Sequence, residues 1–301
     1  MVIKEKIITS GMLVTAALLF GSSYSFRKMA LLNVGAFFFN ASRFAIAFVI
    51  LFIAYLFSEK KSDYKPVLWQ FKGGMMIGLL FCLGVNIQQL GLITSGAGEC
   101  GFITSLYILF TPIISWLVLK RKIGVNIWAA AVSAVTGLFL ISAGNGFHIV
   151  TGDVLFLITA VFFAVQIIVI GHYITHSSPL FLVAMQMLVS SVISLALSLI
   201  FESGNTLESF ITAIVPIIYT SVFTVSIGNL FQFVAQKKAS PSVAAIILSL
   251  ESVFAAIFGA FILHERMNLF QVAGCCLIFI AIILSQTGGK RPADPAGGTP
   301  K

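Results

Sequence analysis

The sequence predicts an all-α membrane protein of ten transmembrane helices arranged as two inverted five-helix repeats. Three observations lead there. The chain is 59% hydrophobic and only 9% charged, with a mean hydropathy of +1.06, whereas about a quarter of the residues in a soluble domain are charged. A window of about 19 residues finds successive apolar stretches of spanning length. Polar landmarks then recur at a spacing of 140 to 144 residues.

The ten stretches are residues 9–26, 35–57, 72–93, 98–119, 124–143, 152–172, 179–200, 210–234, 241–263 and 269–286. About 20 helical residues at 1.5 Å rise cross a hydrocarbon core of about 30 Å, and the loops between are too short to hold a further domain. The first stretch follows Lys4 and Lys6 like a secretory signal, but no convincing small-x-small cleavage site follows and nine more spans do. It reads as the first transmembrane helix. The second carries Arg43, the third Gly84 and Gln88, the fourth Thr111-Pro112, the sixth Gln166, the seventh Gln186 and the eighth Gly228 and Gln232. The ninth, Pro241 to Leu263, holds Glu251 at its middle. An ionised side chain there costs about 2.5–3.5 kcal/mol on insertion scales, so it is expected to face a bundle interior or a watery cavity and to have a task.

The landmarks define the repeat. Gly84 and Gln88 recur as Gly228 and Gln232, each 144 residues on; Arg43 falls opposite Gln186 and Ser142 opposite Ser285, 143 residues on; Thr111-Pro112 falls opposite Glu251-Ser252, 140 residues on. Residues 9–143 form the first repeat, 152–286 the second, and 287–301, rich in Gly and Pro, a disordered cytoplasmic tail. Five helices per repeat is an odd number, so the second copy enters the membrane inverted, the usual build of carriers with a site near the midplane.

Orientation follows from the basic residues. With the N-terminus inside, fourteen of the eighteen Lys and Arg lie in cytoplasmic segments. Arg27, Lys28 and Arg266 are left to outer loops, with Arg43 inside the second span. By the positive-inside rule both termini are cytoplasmic, which makes this a multi-pass protein of a bacterial inner membrane. The net charge of +8 is thereby a topology signal with no nucleic-acid partner behind it. Cys82, Cys100, Cys275 and Cys276 fall inside spans at no metal-ligand spacing, and neither a disulfide framework nor a metal or cofactor is expected. Catalytic motifs such as H-E-x-x-H, G-x-S-x-G or a phosphate loop are lacking, so no enzyme is expected.

At Gly21-Ser22-Ser23, Ser42-Arg43-Phe44, Gly101 to Ile114 (GFITSLYILFTPII) and Ser249 to Glu265 (SLESVFAAIFGAFILHE), the chain resembles the EamA-type ten-helix members of the drug/metabolite transporter superfamily. It departs from their pattern at Phe20, Ser252 and His264, where Trp, Pro and Gly are common. Lacking that proline, span nine is expected to run straighter than span four with Pro112. The resemblance implies a substrate cavity between the halves, with spans five and ten peripheral, and secondary transport, often export, of amino acids or other small metabolites.

The expected substrate-binding residues are Arg43, Gln88, Tyr107, Gln166, Gln232 and Glu251. Glu251 suits a proton or a substrate ammonium, against a structural carboxylate. Arg43, about 12 Å deep, suits a substrate carboxylate, against a pair with Glu251 or snorkelling to the interface. Gln88 and Gln232 both donate and accept, as do Asn86, Gln89, Asn229, Gln166 and Gln186; the alternative, interhelical glue, does not require so many amides. Tyr107, one turn from Thr104 and Thr111, has a better claim to a cavity wall than Tyr24 or Trp116. Glu99 is a candidate at the outer mouth, Glu265 and Asp153 read as interface residues, and His172 and His176 lack metal spacing. The partners are a small-molecule substrate and membrane lipids. Ala273 and Gly274 suit a homodimer contact or a neighbouring helix equally. A carrier exporting a small polar metabolite by alternating access, with proton coupling through Glu251, best fits these residues. An importer or exchanger of the same fold, a passive channel and a flippase for lipids or lipid-linked sugars stand as alternatives.

Overall fold

The computed structural model describes residues 2–58, 64–118, 120, 123–143, 150–263 and 269–287. These are helical, with no strand among them. The first helices are α1 (Val2–Ala30), α2 (Ala36–Leu56), α3 (Val67–Thr94), α4 (Ala97–Thr104), α5 (Tyr107–Leu117) and α6 (Val125–Ala143). There follow α7 (Thr151–Tyr173), α8 (Pro179–Phe201), α9 (Leu207–Thr212) and α10 (Ile214–Tyr219). A π-helical segment (Thr220–Gly228) leads into α11 (Asn229–Gln236), α12 (Pro241–Leu248), α13 (Leu250–Leu263) and α14 (Leu269–Thr287). Eight helical stretches are long and apolar enough to cross a membrane; α6 and α14 contribute shorter apolar stretches, Val125–Leu140 and Val272–Ser285. The expected tail beyond Thr287, and Glu265 with Arg266, lie outside the described residues.

In hydrocarbon every helix-end amide needs a partner, since water is absent. Ser178 accepts from Phe181 N and Ser240 from Val243 N, each followed by proline at the first helical position, where its missing N–H costs nothing. The start of α2 is capped from far along the chain. Glu202, just beyond α8, accepts from Phe37 N (2.7 Å) and Phe38 N (2.9 Å), and Asn205 Oδ1 accepts from Gly35 N (2.9 Å). Lys28 donates in turn to the carbonyls of Leu92 and Ser95 at the end of α3, where a cation complements the helix dipole.

The helices pack as α2 on α8, α3 on α7 and α8, α6 on α14, and α1 on α13. Small residues set these approaches, because contact rather than hydrophobicity drives helix association in lipid. A Cβ on Gly21 would overlap the Glu251 carbonyl and lie 2.7 Å from Phe254 Cβ and 2.9 Å from Ala255 N. The absence of a side chain at Gly21 thus lets α1 lie directly on the segment carrying Glu251.

Two expectations are corrected here. Span nine is not one uninterrupted helix: it divides into α12 and α13 at Ser249, without any proline. Span four divides at Ser105-Leu106, while Pro112 sits inside α5. The two breaks lie 144 residues apart, within four residues of the 140-residue offset that relates Thr111-Pro112 to Glu251-Ser252 in the same spans. At each, a serine hydroxyl turns back on its own helix, Ser105 Oγ to Gly101 O (2.7 Å) and Ser249 Oγ to Ile246 O (2.8 Å), a pattern that bends helices. The second correction concerns Arg27, assigned to an outer loop. Helix α1 runs on to Ala30, and Arg27 is 4% exposed inside it.

Candidate functional site

One cavity lies among α1, α2, α3, α5, α7, the π-helical segment, α11, α12 and α13. It contains about 600 Å³ of atom-free space, part of it open to solvent. All six expected residues, Arg43, Gln88, Tyr107, Gln166, Gln232 and Glu251, line it, although they come from six different helices. Tyr24 lines it too. Trp116 does not, being 56% exposed on the outside of α5, and the Glu99 side chain lies outside the described residues.

Helix α13 begins one residue before Glu251, so the break at Ser249 places the carboxylate in the first turn of a new helix, 5% exposed. Ser105 Oγ lies 3.4 Å from it but donates more closely to Gly101 O at 2.7 Å. One proton cannot serve both acceptors well, so Ser105 by itself holds Glu251 weakly. The phenols of Tyr107 and Tyr24 stand beside it. No ion pair joins Glu251 to Arg43; the guanidinium within its electrostatic reach is that of Arg27.

The two arginines are positioned by amides. Arg27 donates from Nε to Gln89 Oε1 (2.9 Å) and from Nη1 to Gln88 Oε1 (2.7 Å), and stacks over Tyr24 at 5.5 Å. Gln88 is fixed in turn through Nε2 to Thr104 Oγ1 (2.9 Å). Arg43 does not snorkel. It is 2% exposed, donates from Nε to Asn40 Oδ1 (3.0 Å), and lies over Phe44 (4.7 Å) and Phe39 (5.1 Å). Asn40 donates to Asn86 Oδ1 (2.9 Å) and Asn86 to Ser194 Oγ (2.9 Å), so a chain of amides from α2 through α3 to α8 orients Arg43.

The other half mirrors this chain without charge. Gln166 donates to Gln186 and Gln186 to Asn229, both at 3.1 Å. Gln232 donates to Gln236 (3.3 Å), and Gln236 to the Ile167 carbonyl (3.0 Å). Gln166 and Asn229 therefore tie helices together along one edge while facing the cavity with the other, Gln232 faces the cavity and steadies Gln236 on its own helix, and Gln186 and Gln236 only tie. Phe81 and Phe163, stacked at 6.1 Å, supply an apolar wall. The π-helical turn brings Thr224 and Val225 to the lining, and such turns recur at functional sites.

A family model, described as the EamA-like transporter family, matches residues 8–143 and again 150–287. The chain belongs to the EamA-like transporter family. A protein of Archaeoglobus fulgidus, described as an uncharacterized transporter, is 35% identical to it over 274 residues, 90% of this chain and 83% of the relative. The uncharacterized transporter YoaV of Bacillus subtilis is 21% identical over 278 residues, 91% of this chain and 94% of the relative. A crystal structure of a protein of 15% identity superposes with a TM-score of 0.75 over 92% of this chain and 96% of its own, which shows the shared fold. This EamA-like transporter is accordingly a multi-pass membrane protein, and the cavity is its candidate solute site.

Residue-level reading of the chain missed Arg27, because an apolar window closes where charges appear although the helix continues. A signal was present. Phe20, Ser23, Tyr24 and Arg27 keep the three- and four-residue spacing of one helical face. Ser105 and Thr224 carried no such mark, since a hydroxyl in an apolar span bonds its own backbone by default.

Proposed function

We propose that this EamA-like transporter is a secondary carrier in the cytoplasmic membrane, exporting a small polar metabolite, an amino acid or related solute, by alternating access. Ten transmembrane helices in two inverted five-helix repeats, with both termini cytoplasmic, form the working unit. What supports the repeat is the double family match, the recurrence of polar landmarks, and helix breaks 144 residues apart at Ser105 and Ser249. Helices α2 and α8, and likewise α6 and α14, are counterparts that pack on one another, as elements on a two-fold axis would.

The observation that carries the proposal is a buried carboxylate, Glu251, without an ion-pair partner among the described residues, in a cavity lined from both matched segments. A buried carboxylate held only by hydroxyl groups, those of Ser105, Tyr107 and Tyr24, is available to a proton or to a solute. In the cycle proposed, Glu251 takes up a proton in one facing state and releases it in the other. Saturable transport with counterflow in proteoliposomes separates a carrier from a channel, which gives neither. An imposed pH gradient should drive the wild type, and Glu251→Gln should lose that dependence. Full gradient-driven activity in Glu251→Gln would remove proton coupling from the proposal. The repeat favours a carrier over a channel, and a lipid flippase is disfavoured by the burial of the cavity's polar residues.

A further inference from the structure

Resting on the transporter function above and narrowing its substrate, we propose that Arg27 and Arg43 together form an oxyanion site, so that the solute carries a net negative charge. Both guanidiniums line the cavity, and each has a buried Nη2 atom with no acceptor among the described residues; Gln89 Nε2, beside Arg27, lacks one there as well. The two arginines are within electrostatic reach of one another. Buried donors are nearly always satisfied, and leaving one unsatisfied is costly. A cluster of donors without acceptors therefore calls for a ligand that only accepts. Ionised carboxylates and phosphates are acceptor-only groups, and arginine forks match them.

Charge balance points the same way. Two guanidiniums and one ionised Glu251 leave the cavity at +1, in surroundings where an uncompensated charge is expensive. A zwitterion with its carboxylate on arginine and its ammonium on Glu251 leaves that excess in place. A monoanion cancels it. The second segment cannot take this role: Ile170, 143 residues after Arg27, and Gln186, 143 after Arg43, put no cation at the corresponding places. The cation pair belongs to one half, and the solute's anionic group is held there.

The test is thermal stabilisation of the purified full-length protein by a charge series: succinate, its dimethyl ester, L-glutamate, inorganic phosphate, L-alanine and L-lysine. Any compound that binds only the native state raises its stability. Stabilisation by succinate or glutamate is expected, with dimethyl succinate inert; stabilisation by phosphate alone would assign the oxyanion to a phosphoryl group instead of a carboxylate. Arg27→Gln or Arg43→Gln should weaken the apparent affinity for the anion about tenfold to a hundredfold, the loss of one charge-assisted hydrogen bond. Stabilisation by alanine or lysine in place of the anions, equal stabilisation by dimethyl succinate, or no stabilisation by any probe overturns the oxyanion site. The ester comparison uses the wild type alone and so does not depend on the variants folding. Saturable counterflow of alanine or lysine would leave the carrier standing while the anion assignment fell.

Discussion

Replacing Glu202 by alanine is expected to destabilise the protein by about 1.5–3 kcal/mol. The carboxylate accepts from Phe37 N and Phe38 N at 2.7 and 2.9 Å and is the side-chain cap for those two amides of α2. Loss of a side-chain cap costs about 1–2 kcal/mol, and loss of a negative charge at a helix N-terminus a further 0.3–1 kcal/mol or about that. Glu202→Gln keeps one accepting oxygen and gives up the charge, so about half the effect should remain. Gly35→Ala should behave like Glu202→Ala, because a methyl there would overlap the carboxyl group. The effect reaches the site, since Asn40 and Arg43 stand in the first two turns of the helix that Glu202 caps. Thermal unfolding in detergent, with and without an anionic probe, measures both consequences. Wild-type stability in Glu202→Ala, or a glutamine variant as damaged as the alanine one, would refute the capping role.

Gly21→Ala should destabilise despite a helix-propensity gain of about 1 kcal/mol. The Glu251 carbonyl and Ala255 N facing the new methyl are backbone atoms that cannot rotate away, and overpacking costs about 1–3 kcal/mol; unfolding midpoints of the two proteins decide it. Gln186→Ala removes both of its hydrogen bonds, to Gln166 and Asn229, at about 0.6 kcal/mol each in membrane cases. Its stability should fall by about 1 kcal/mol with solute affinity little changed, because Gln186 ties helices and does not line the cavity.

Much of this protein was legible from one dimension. Apolar stretches of spanning length, a carboxylate at the centre of one, and polar landmarks recurring at 140 to 144 residues pointed to the helical membrane class and to residues that the fold gathers around one cavity. Those signals are local: insertion into lipid depends on the hydropathy of about 20 consecutive residues, and a charge at mid-span is conspicuous for the same reason. Where helices break and which atoms meet are settled by neighbours far along the chain. Ser249 ends α12 beside Glu251 with no proline to announce it. Nothing local marks Glu202, yet it caps a helix that begins 166 residues earlier, at Ala36. Arg27 and Arg43 resemble an end-of-span charge and a partner for Glu251. Only packing turned Arg27 inward onto Gln88 and Gln89, placed it within reach of Glu251, and set Arg43 on the same cavity within its electrostatic reach. Side-chain direction at the end of a span depends on what the adjoining helices offer, here two glutamine oxygens from α3, and no window along α1 contains them.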